Sequence, residues 1–447
     1  MEASTMAESN QKLESFAFVP KYPDVKLYAN FFGNFQVWEA DDWKSTSLSW
    51  KESCYIHAGI SPGEVRIKGP DAQKLLSMAS INNVYKWKIG TSKHLVMCNE
   101  DGLIENHSLV NRDDEESFRL FAGNPWPLMR LMGTGKYQAE IQPNEIFIYQ
   151  FAGPLSLTVL EKATRESLRD VKFLDTRPTR IPGVDAAIEV SRIGMAGTLA
   201  YELRGPVAAG PQVYDIVYQA GKEYGIKRLG WLTYTVNHEE GGFPQQTVSF
   251  TSASEADPVF ISSPAVNGMV MKKSGSIDPA NLRARLRTPG ELDWMWMARF
   301  DHDFVGRAAV EAESKNPRRK VVNLLWNIED ILDVFASQFR QSEEYKLIDF
   351  PCAQQQPAGG HADLVTTPNG HEIGISSATT YSYYYRQMIS QCVIDIDQAE
   401  LGNKVIVHWG DYGKRIKNIR ADVVRWPYLD LVRNENYDLN TVPSGLA

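Results

Sequence analysis

Residues 188–206 read IEVSRIGMAGTLAYELRGP, two strand-like segments separated by a glycine-containing turn. Apolar and polar side chains alternate on both sides of the turn, which is the pattern of a half-buried strand. Gly194 and Gly197 lie where the chain must reverse, and glycine is common at such positions. The stretch therefore predicts a β-hairpin with Glu202 on its second strand.

The segments around this hairpin combine strands and helices in two similar blocks. The earlier block, in residues 63–123, predicts a strand, a helix capped by Asp71 and three further strands. The later block predicts a strand at 155–160, a helix at 161–169, the hairpin and a helix at 210–225. Two blocks of one pattern indicate an α+β fold with an internal duplication.

The last part of the chain is rich in strands. Residues 318–447 contain five predicted strands, and glycine and asparagine lie in the turns between them. Short strands joined by such turns are typical of a small barrel. We therefore expect two domains: residues 1–317 with both α+β blocks, and residues 318–447 as a β-barrel.

The composition is that of a globular protein and excludes several functions. The 447 residues are 43% hydrophobic and carry a net charge of -8, whereas a nucleic-acid-binding protein needs a basic face. No apolar run approaches the ~18 residues of a membrane span. The N-terminus lacks the apolar core of a signal peptide. We expect a cytoplasmic protein with no nucleic-acid or membrane partner, and its oligomeric state stays open.

Cysteine and histidine spacing gives no sign of a metal site. Cys54, Cys98, Cys352 and Cys392 are far apart in sequence and are expected to be free thiols. The eight histidines show no spacing typical of metal ligands. The sequence therefore predicts chemistry without a bound metal.

Several motifs occur together in one order along the chain. Residues 192–203 (RIGMAGTLAYEL) are in register with R-T-G-Y-T-G-E-D-G-[FY]-E-[IL]. Residues 303–309 (DFVGRAA) and 318–322 (RRKVV) are similar to D-F-[IV]-G-[KR]-x-A and R-R-K-L-V. Residues 370–382 (GHEIGISSATTYS) are similar to G-x-x-[IV]-G-x-V-T-S-G-x-Y-S, and KGPDAQKLLS at 68–77 precedes them all. With this ordered set the chain resembles the glycine-cleavage T-protein (aminomethyltransferase) superfamily over most of its length.

The resemblance implies a fold and a cofactor. It implies two ferredoxin-like subdomains and a C-terminal β-barrel around a central channel that holds tetrahydrofolate. Glu202 takes the place of the family's hairpin glutamate, and one carboxylate can accept hydrogen bonds from both the amino group and the ring N–H of a pterin edge. Tyr201, Met195, Asn106 and Asn124 are further expected contacts of the cofactor. Met195 replaces a tyrosine of the family, and Asn106 stands where the family has an acid.

One branch of the superfamily has the residues that distinguish this chain. Tyr234 lies near the place of a family arginine, which resembles the branch that demethylates aryl ethers of lignin-derived acids. In that branch a tyrosine here is the proposed catalytic acid. Tyr28, His57 and Arg119 fall where the branch surrounds its aromatic acid, and Cys54 falls where some members have glutamine. The implied activity is tetrahydrofolate-dependent O-demethylation of a vanillate, syringate or chlorinated methoxybenzoate, giving a phenol and 5-methyltetrahydrofolate.

Cleavage of an aryl ether needs residues of these types. The departing oxygen must be protonated as its bond breaks, and the ordinary tyrosine pKa of ~10 is close to that of a phenol. Tyr234 is therefore the expected acid, or else a buried structural tyrosine. Arg119 offers a fork for a benzoate carboxylate or pairs with an acid among residues 113–116. His57 binds the carboxylate or a ring hydroxyl, or is structural, and Tyr28 stacks on the ring or bonds to it.

Two other functions remain as alternatives. One is a folate-dependent demethylase of a small amine or sulfonium compound, against which the amide of Asn106 argues because it cannot act as a base. The other is a folate-binding helper protein without catalysis. Helpers of the superfamily carry a K-G-C-x-x-G-Q-E motif, whereas residues 237–245 (NHEEGGFPQ), close to Tyr234, contain no cysteine.

Overall fold

The computed structural model describes residues 24–25, 27–31, 34–58, 64–121, 123–143, 145–263, 272–352 and 360–446. Up to residue 143 the elements are β1 (Leu27–Phe31), β2 (Asn34–Glu39), α1 (Trp43–Glu52), β3 (Tyr55–His57), β4 (Val65–Lys68), α2 (Ala72–Ala79), β5 (Ser92–Cys98), β6 (Ile104–Arg112), β7 (Ser117–Phe121), α3 (Trp126–Met132) and β8 (Glu140–Pro143).

The later elements follow in the same way. Up to residue 262 they are β9 (Ile146–Ala152), α4 (Ser156–Thr164), β10 (Thr176–Thr179), β11 (Ile188–Ser191), β12 (Ala200–Pro206), α5 (Gly210–Gly221), β13 (Lys227–Arg228), α6 (Trp231–Gly241) and α7 (Pro258–Ser262). The remaining ones are α8 (Arg307–Lys315), β14 (Arg319–Trp326), α9 (Ile328–Ser337), β15 (Asp363–Thr366), β16 (Glu372–Ser382), β17 (Gln387–Asp395), β18 (Lys404–Trp409) and β19 (Lys417–Val424).

Strands β4 to β8 form an antiparallel sheet in the order β5-β6-β7-β4-β8. Its apolar face packs on α2, with Ile67, Leu75 and Val110 in one buried core. Asp71 stands at the N-cap position of α2 but makes no capping hydrogen bond, so that detail of the sequence prediction is wrong. Its carboxylate instead accepts the N–H of Gln138 at 2.8 Å. This hydrogen bond connects the start of the helix to the segment that leads into β8.

The second sheet has the order β10-β11-β12-β9-β3-β13, and its short edge strand β13 is parallel to β3. The hairpin predicted at residues 188–206 is confirmed, since β11 and β12 pair with Ser191 opposite Glu202. One face of the sheet buries Ile56 and Phe151 against α4 and α5. Strand β3 lies before the first α+β block in sequence, so the second sheet includes a strand from the N-terminal part of the chain.

The apolar segment at residues 155–160 is a helix, which corrects the strand prediction. It belongs to α4, whose described side chains are almost all buried. A helix without a polar face gives the same continuous apolar run as a buried strand, so periodicity alone cannot separate them. The helix predicted at 161–169 correspondingly ends at Thr164, and Arg165 follows in the left-handed conformation with φ 58°.

The C-terminal region is a closed barrel in the order β14-β17-β16-β15-β18-β19. Its interior is apolar and includes Leu324, Cys392 and Val407. The sequence analysis missed the short strand β15, which has only four residues. The barrel begins at Arg319, and the proposed boundary between residues 317 and 318 stays a prediction.

In the described part of the chain no helix is long and apolar enough to cross a membrane. The four cysteines are buried and unpaired. The same residues contain no group of three or more histidine, cysteine, aspartate or glutamate side chains placed to hold a metal ion. The architecture, two α/β sheet units and a barrel, is the one that the sequence predicted.

Candidate active site

Three polar side chains form a row across the second sheet. The strand register places His57 opposite Gln150, and Gln150 opposite Glu202. Directly paired residues of antiparallel strands project from the same face, and all three of these are buried. Tyr201 projects from the other face, into the core against α4 and α5. The polar row lies on the face of the sheet opposite α4 and α5, and because its side chains are buried, another element must cover that face.

Helix α6 covers the row and brings Tyr234 to it. The rings of Tyr234 and His57 stack with centroids 4.2 Å apart and planes 18° from parallel. Gln150 hydrogen-bonds the Tyr234 phenol, and its Nε2 also donates to Glu202 Oε1 at 3.1 Å. One amide thus joins the predicted acid to the predicted pterin ligand. The sequence analysis missed Gln150, although a lone polar residue in the apolar strand IFIYQFA was a usable signal.

Arg204 fixes the other side of the Glu202 carboxylate. Its Nη2 and Nε donate to Glu202 Oε2 at 2.6 and 3.1 Å. The guanidinium is almost fully buried and lies 4.1 Å from the ring centroid of Phe121 on the first sheet. Its Nη1 has no hydrogen-bond partner among the described residues. Glu202 is therefore held rigidly, while each of its oxygens keeps acceptor capacity for a ligand.

The environment keeps Tyr234 protonated. Burial is the main cause that raises the pKa of this phenol above its ordinary value, and the charge of Glu202 raises it further. The hydrogen bond with Gln150 opposes both effects. A second buried phenol, Tyr55, lies nearby and accepts a hydrogen bond from Asn237 Nδ2 at 3.1 Å. Tyr234 thus holds its proton over the whole ordinary pH range, and its pKa lies above the ordinary value of ~10 on which the sequence argument was based.

His57 is a neutral hydrogen-bond acceptor toward the site. Its Nδ1 lies 2.8 Å from the carbonyl oxygen of Leu229, so Nδ1 carries the proton and donates it there. Burial lowers the pKa of the imidazole to about 4. Its Nε2 is buried and has no hydrogen-bond partner in the described structure. The sequence left two ligand roles open for His57, binding of a carboxylate and binding of a ring hydroxyl. In this tautomer Nε2 can accept a hydrogen bond from a hydroxyl but cannot donate one to a carboxylate.

Arg119 lies between the two sheets with all three guanidinium nitrogens engaged. Its Nε and Nη2 contact Asp113 at 2.8 and 2.7 Å, and its Nη1 donates to Glu189 at 2.7 Å. Glu189 stands opposite Arg204 in the strand register, and this pair is next to the Ser191–Glu202 pair on the same face. Through Glu189, Arg119 is therefore held beside the polar row. This arrangement is the acid-paired alternative from the sequence, with Glu189 as a partner that the sequence did not indicate.

Glu64, directly before β4, is another buried acid that the sequence analysis missed. Neither of its carboxylate oxygens has a hydrogen-bond partner within the described ranges. Burial raises the pKa of Glu64 to about 8, Glu202 adds to this effect, and Arg204 and Arg119 oppose it. Near neutral pH this side chain is therefore mostly uncharged.

Other sequence-predicted contacts lie outside the second sheet. Asn106 is fully buried in the first sheet, where its Nδ2 donates to Ser108 at 2.8 Å and its Oδ1 accepts the N–H of Asn124 at 2.6 Å. The structure brings Asn106 and Asn124 together with each other rather than with Glu202. Tyr28 lies in the β1–β2 hairpin, which packs on α6 through β2. Their roles as ligand contacts stay predictions.

The hairpin turn and the start of β3 contribute less directly. Met195 is half-buried, and its carbonyl oxygen packs against Gly241 at the end of α6. Cys54 lies in the same core as Tyr201, on the face away from the polar row, and burial raises the pKa of its thiol to about 12. The structure therefore places neither Cys54 nor Tyr201 beside Tyr234.

A wall of rings continues from Tyr234 into the space between the sheets. Tyr234 contacts His238 with centroids 4.5 Å apart, and His238 is 6.0 Å from Phe243. Beyond them His107 lies 5.4 Å from Phe243 and 4.4 Å from Trp294. Burial lowers the pKa of both histidines, so the wall is uncharged. Such a surface suits a flat aromatic ligand.

Comparison with known proteins agrees with this architecture. The family model described as the GCVT N-terminal domain matches residues 30–253. The chain is 34% identical to the sesamin methylene transferase of Sinomonas sp. (strain No.22), over 89% of this chain and 91% of that protein. It is 27% identical to the syringate O-demethylase of Sphingobium sp. (strain NBRC 103272 / SYK-6), over 83% of each.

The fold has a solved counterpart. The glycine cleavage system aminomethyltransferase T from Bartonella henselae superposes with a TM-score of 0.64 at 15% identity, covering 92% of this chain and 95% of that one. At 15% identity this structural match supports the fold alone, and the family assignment rests on the family model and the sequence relatives. The chain belongs to the glycine-cleavage T-protein (aminomethyltransferase) family and is an enzyme of the methyltransferase class.

Proposed function

We propose that this enzyme moves the methyl group of a methoxylated aromatic compound to N5 of tetrahydrofolate, giving a phenol and 5-methyltetrahydrofolate. Methoxylated aromatic acids of the vanillate, syringate and chlorinated methoxybenzoate class are the first substrates to test. The observation that carries the proposal is the contact of Gln150 with both Tyr234 and Glu202. It joins a proton donor on the covering helix to a buried carboxylate of the polar row that can accept from a pterin edge.

The residues present fit a tetrahydropterin. Glu202 is buried, fixed by Gln150 and Arg204, and can accept from the amino group and ring N–H of a pterin edge. The unpaired Nη1 of Arg204 can donate to the ring carbonyl oxygen. When bound, tetrahydrofolate supplies the nitrogen nucleophile that receives the methyl group. The protein's part is to hold that nitrogen, the methyl carbon and the ether oxygen in line.

Tyr234 supplies the proton that the departing oxygen needs. As the bond from the methyl carbon to the aryl oxygen breaks, negative charge grows on the oxygen and the phenol of Tyr234 donates to it. The proton released from N5 equals the one that Tyr234 gives, so the overall reaction balances without an oxidant. Exclusion of water by the buried wall around Tyr234 strengthens the hydrogen bonds along this path.

A second candidate is methylene transfer. The relative from Sinomonas is named for the transfer of a methylene group, and its identity to this chain is higher than that of the syringate enzyme. The same pairing of an aryl oxygen with Tyr234 would serve an aryl methylene ether. The two candidates differ in their folate product, which would be the methylene rather than the methyl derivative.

The test is to incubate the enzyme with tetrahydrofolate and a panel of aryl methyl ethers and aryl methylene ethers. Chromatography of the folates then identifies the derivative formed. We expect 5-methyltetrahydrofolate, with an equal amount of phenol and no reaction when tetrahydrofolate is omitted. A one-carbon folate formed from an amine or sulfonium compound, with none formed from any aryl ether, would refute the proposal.

A further inference from the structure

The charges around the candidate active site are already balanced by the protein itself. Arg119 and Arg204 are buried guanidinium groups held by acids, and Arg66, directly opposite Arg119 in the strand register, shares the acid Asp113. The acids are Asp113, Glu189 and Glu202, so three carboxylates balance these three cations. A substrate carboxylate would therefore enter a region without net positive charge, and it would lose its hydration there.

Arg119 is not available as an anchor without a large cost. Each of its three nitrogens already contacts Asp113 or Glu189, and its side chain is 8% exposed. To bind a benzoate, the guanidinium would have to leave one acid, and that acid would remain buried or half-buried without its partner. Removal of one partner from such a pair is strongly unfavourable. The retained ion pairs therefore oppose an anionic substrate.

The hydrogen bonding of His57 independently favours an uncharged ligand over an anionic one. Its Nδ1 proton is donated to the Leu229 carbonyl, so in the ring that stacks on Tyr234 the Nε2 remains a bare acceptor with no partner in the described structure. A bare acceptor repels a carboxylate and attracts a hydroxyl proton. Glu64, which is buried with both oxygens unpaired, adds a group that gains negative charge as the pH rises.

We infer that the enzyme prefers an uncharged, hydroxyl-bearing aryl methyl ether to the corresponding carboxylate, because Arg119 is neutralised by Asp113 and Glu189 and His57 presents an acceptor. This inference rests on the proposed function and names the substrate class within it. It assigns to Glu189 the role of a specificity-determining residue that acts through Arg119. The preference for an uncharged substrate is thus set by the Arg119–Glu189 ion pair, with which the substrate forms no bond.

The experiment compares 4-hydroxy-3-methoxybenzyl alcohol with 4-hydroxy-3-methoxybenzoate, which differ only in the charged group. With the wild-type enzyme and tetrahydrofolate at pH 7 we expect kcat/KM for the alcohol to exceed that for the acid at least tenfold. In Glu189→Gln the guanidinium of Arg119 loses one acid, so the ratio should shift toward the acid about tenfold, mainly through KM. Glu223→Gln, which removes an exposed acid from its pair with Lys162, is the matched control and should keep the wild-type ratio.

The outcomes separate this inference from the proposed function. If the wild-type enzyme demethylates the acid faster than the alcohol, the inference is overturned and the proposed function stands. An unchanged ratio in Glu189→Gln, with the variant folded by circular dichroism, also overturns it. Binding of the two compounds to the enzyme is measured by calorimetry without tetrahydrofolate, so that preference is read even without turnover. If neither compound is demethylated or bound, the proposed function itself fails for this class.

Discussion

At the scale of single side chains, the substitution Tyr234→Phe gives the sharpest test of the acid role. Tyr234→Phe removes the donated proton but keeps the ring that stacks on His57. We expect kcat to fall by ~10²–10⁴-fold, the usual contribution of a general acid, with little change in the affinity for tetrahydrofolate or substrate. Turnover and calorimetric binding are measured together. Tyr214→Phe, a buried phenol in the core of the second sheet, serves as the control. Full turnover in Tyr234→Phe would exclude the acid role.

Glu202 and Arg204 are predicted to act as one unit. Breaking a buried ion pair leaves one charge uncompensated, so Glu202→Gln and Arg204→Met should each lower the free energy of unfolding by roughly 3 kcal/mol. The double variant should lose clearly less than the sum of the two. Urea denaturation of the four proteins measures this coupling. Additive losses would show that the two side chains stabilise the fold independently.

The sequence predicted some members of the buried cluster around Tyr234 and not others, for a physical reason. Glu202, His57 and Tyr234 stand in or near motifs, and the structure does bring them into one buried cluster. Gln150 and Arg204 become important only through pairing between distant strands, which no local pattern encodes. The partners of Arg119 and the tautomer of His57 likewise depend on three-dimensional contacts.

Helix α6 is positioned by a close backbone contact at its end. Gly241 packs on the hairpin so tightly that a Cβ would lie 2.6 Å from the carbonyl oxygen of Met195. Gly241→Ala should therefore push α6, and Tyr234 with it, away from the polar row. We expect a loss of stability of about 1–3 kcal/mol and a larger fractional loss of turnover. Thermal unfolding and the folate assay measure the two effects.

Gly133→Ala is the matched control for this element. Gly133 has ordinary helical φ, and a Cβ there would meet its nearest atom at 3.4 Å. It should keep both stability and turnover within the experimental error. Equal behaviour of the two variants would mean that the position of α6 does not depend on the contact at Gly241.

The elements themselves were largely predictable where one face is polar. The hairpin β11–β12 follows its alternating sequence pattern, and the barrel strands β18 and β19 alternate between buried and less buried side chains. The helix α4 was misassigned because burial on all sides removes the alternation, and β15 was missed because four residues are too few to show a period. For α4 the cause is tertiary burial, and for β15 it is the shortness of the strand.

For the molecule as a whole, Glu64 predicts a pH-dependent stability. Its pKa is raised from 4.5 to about 8 in the folded protein, so its contribution is fully present below pH 4.5 and is lost as the pH rises through 8. Glu64→Gln cannot ionise. The free energy of unfolding of the wild type, relative to this variant, should therefore fall between pH 5 and pH 8.5. Urea titrations at both pH values measure it, and a constant difference would contradict the burial of this acid.

The crossing of β3 into the second sheet has a consequence for biosynthesis. His57 emerges from the ribosome early, but its neighbours Gln150, Glu202 and Tyr234 lie far downstream. The first sheet uses only strands from residues 65–143, whereas β3 has no antiparallel partner until β9 has been translated. A chain cut between β3 and β9 would separate His57 from Gln150, Glu202 and Tyr234, so catalytic competence should arise only after α6 has been synthesised.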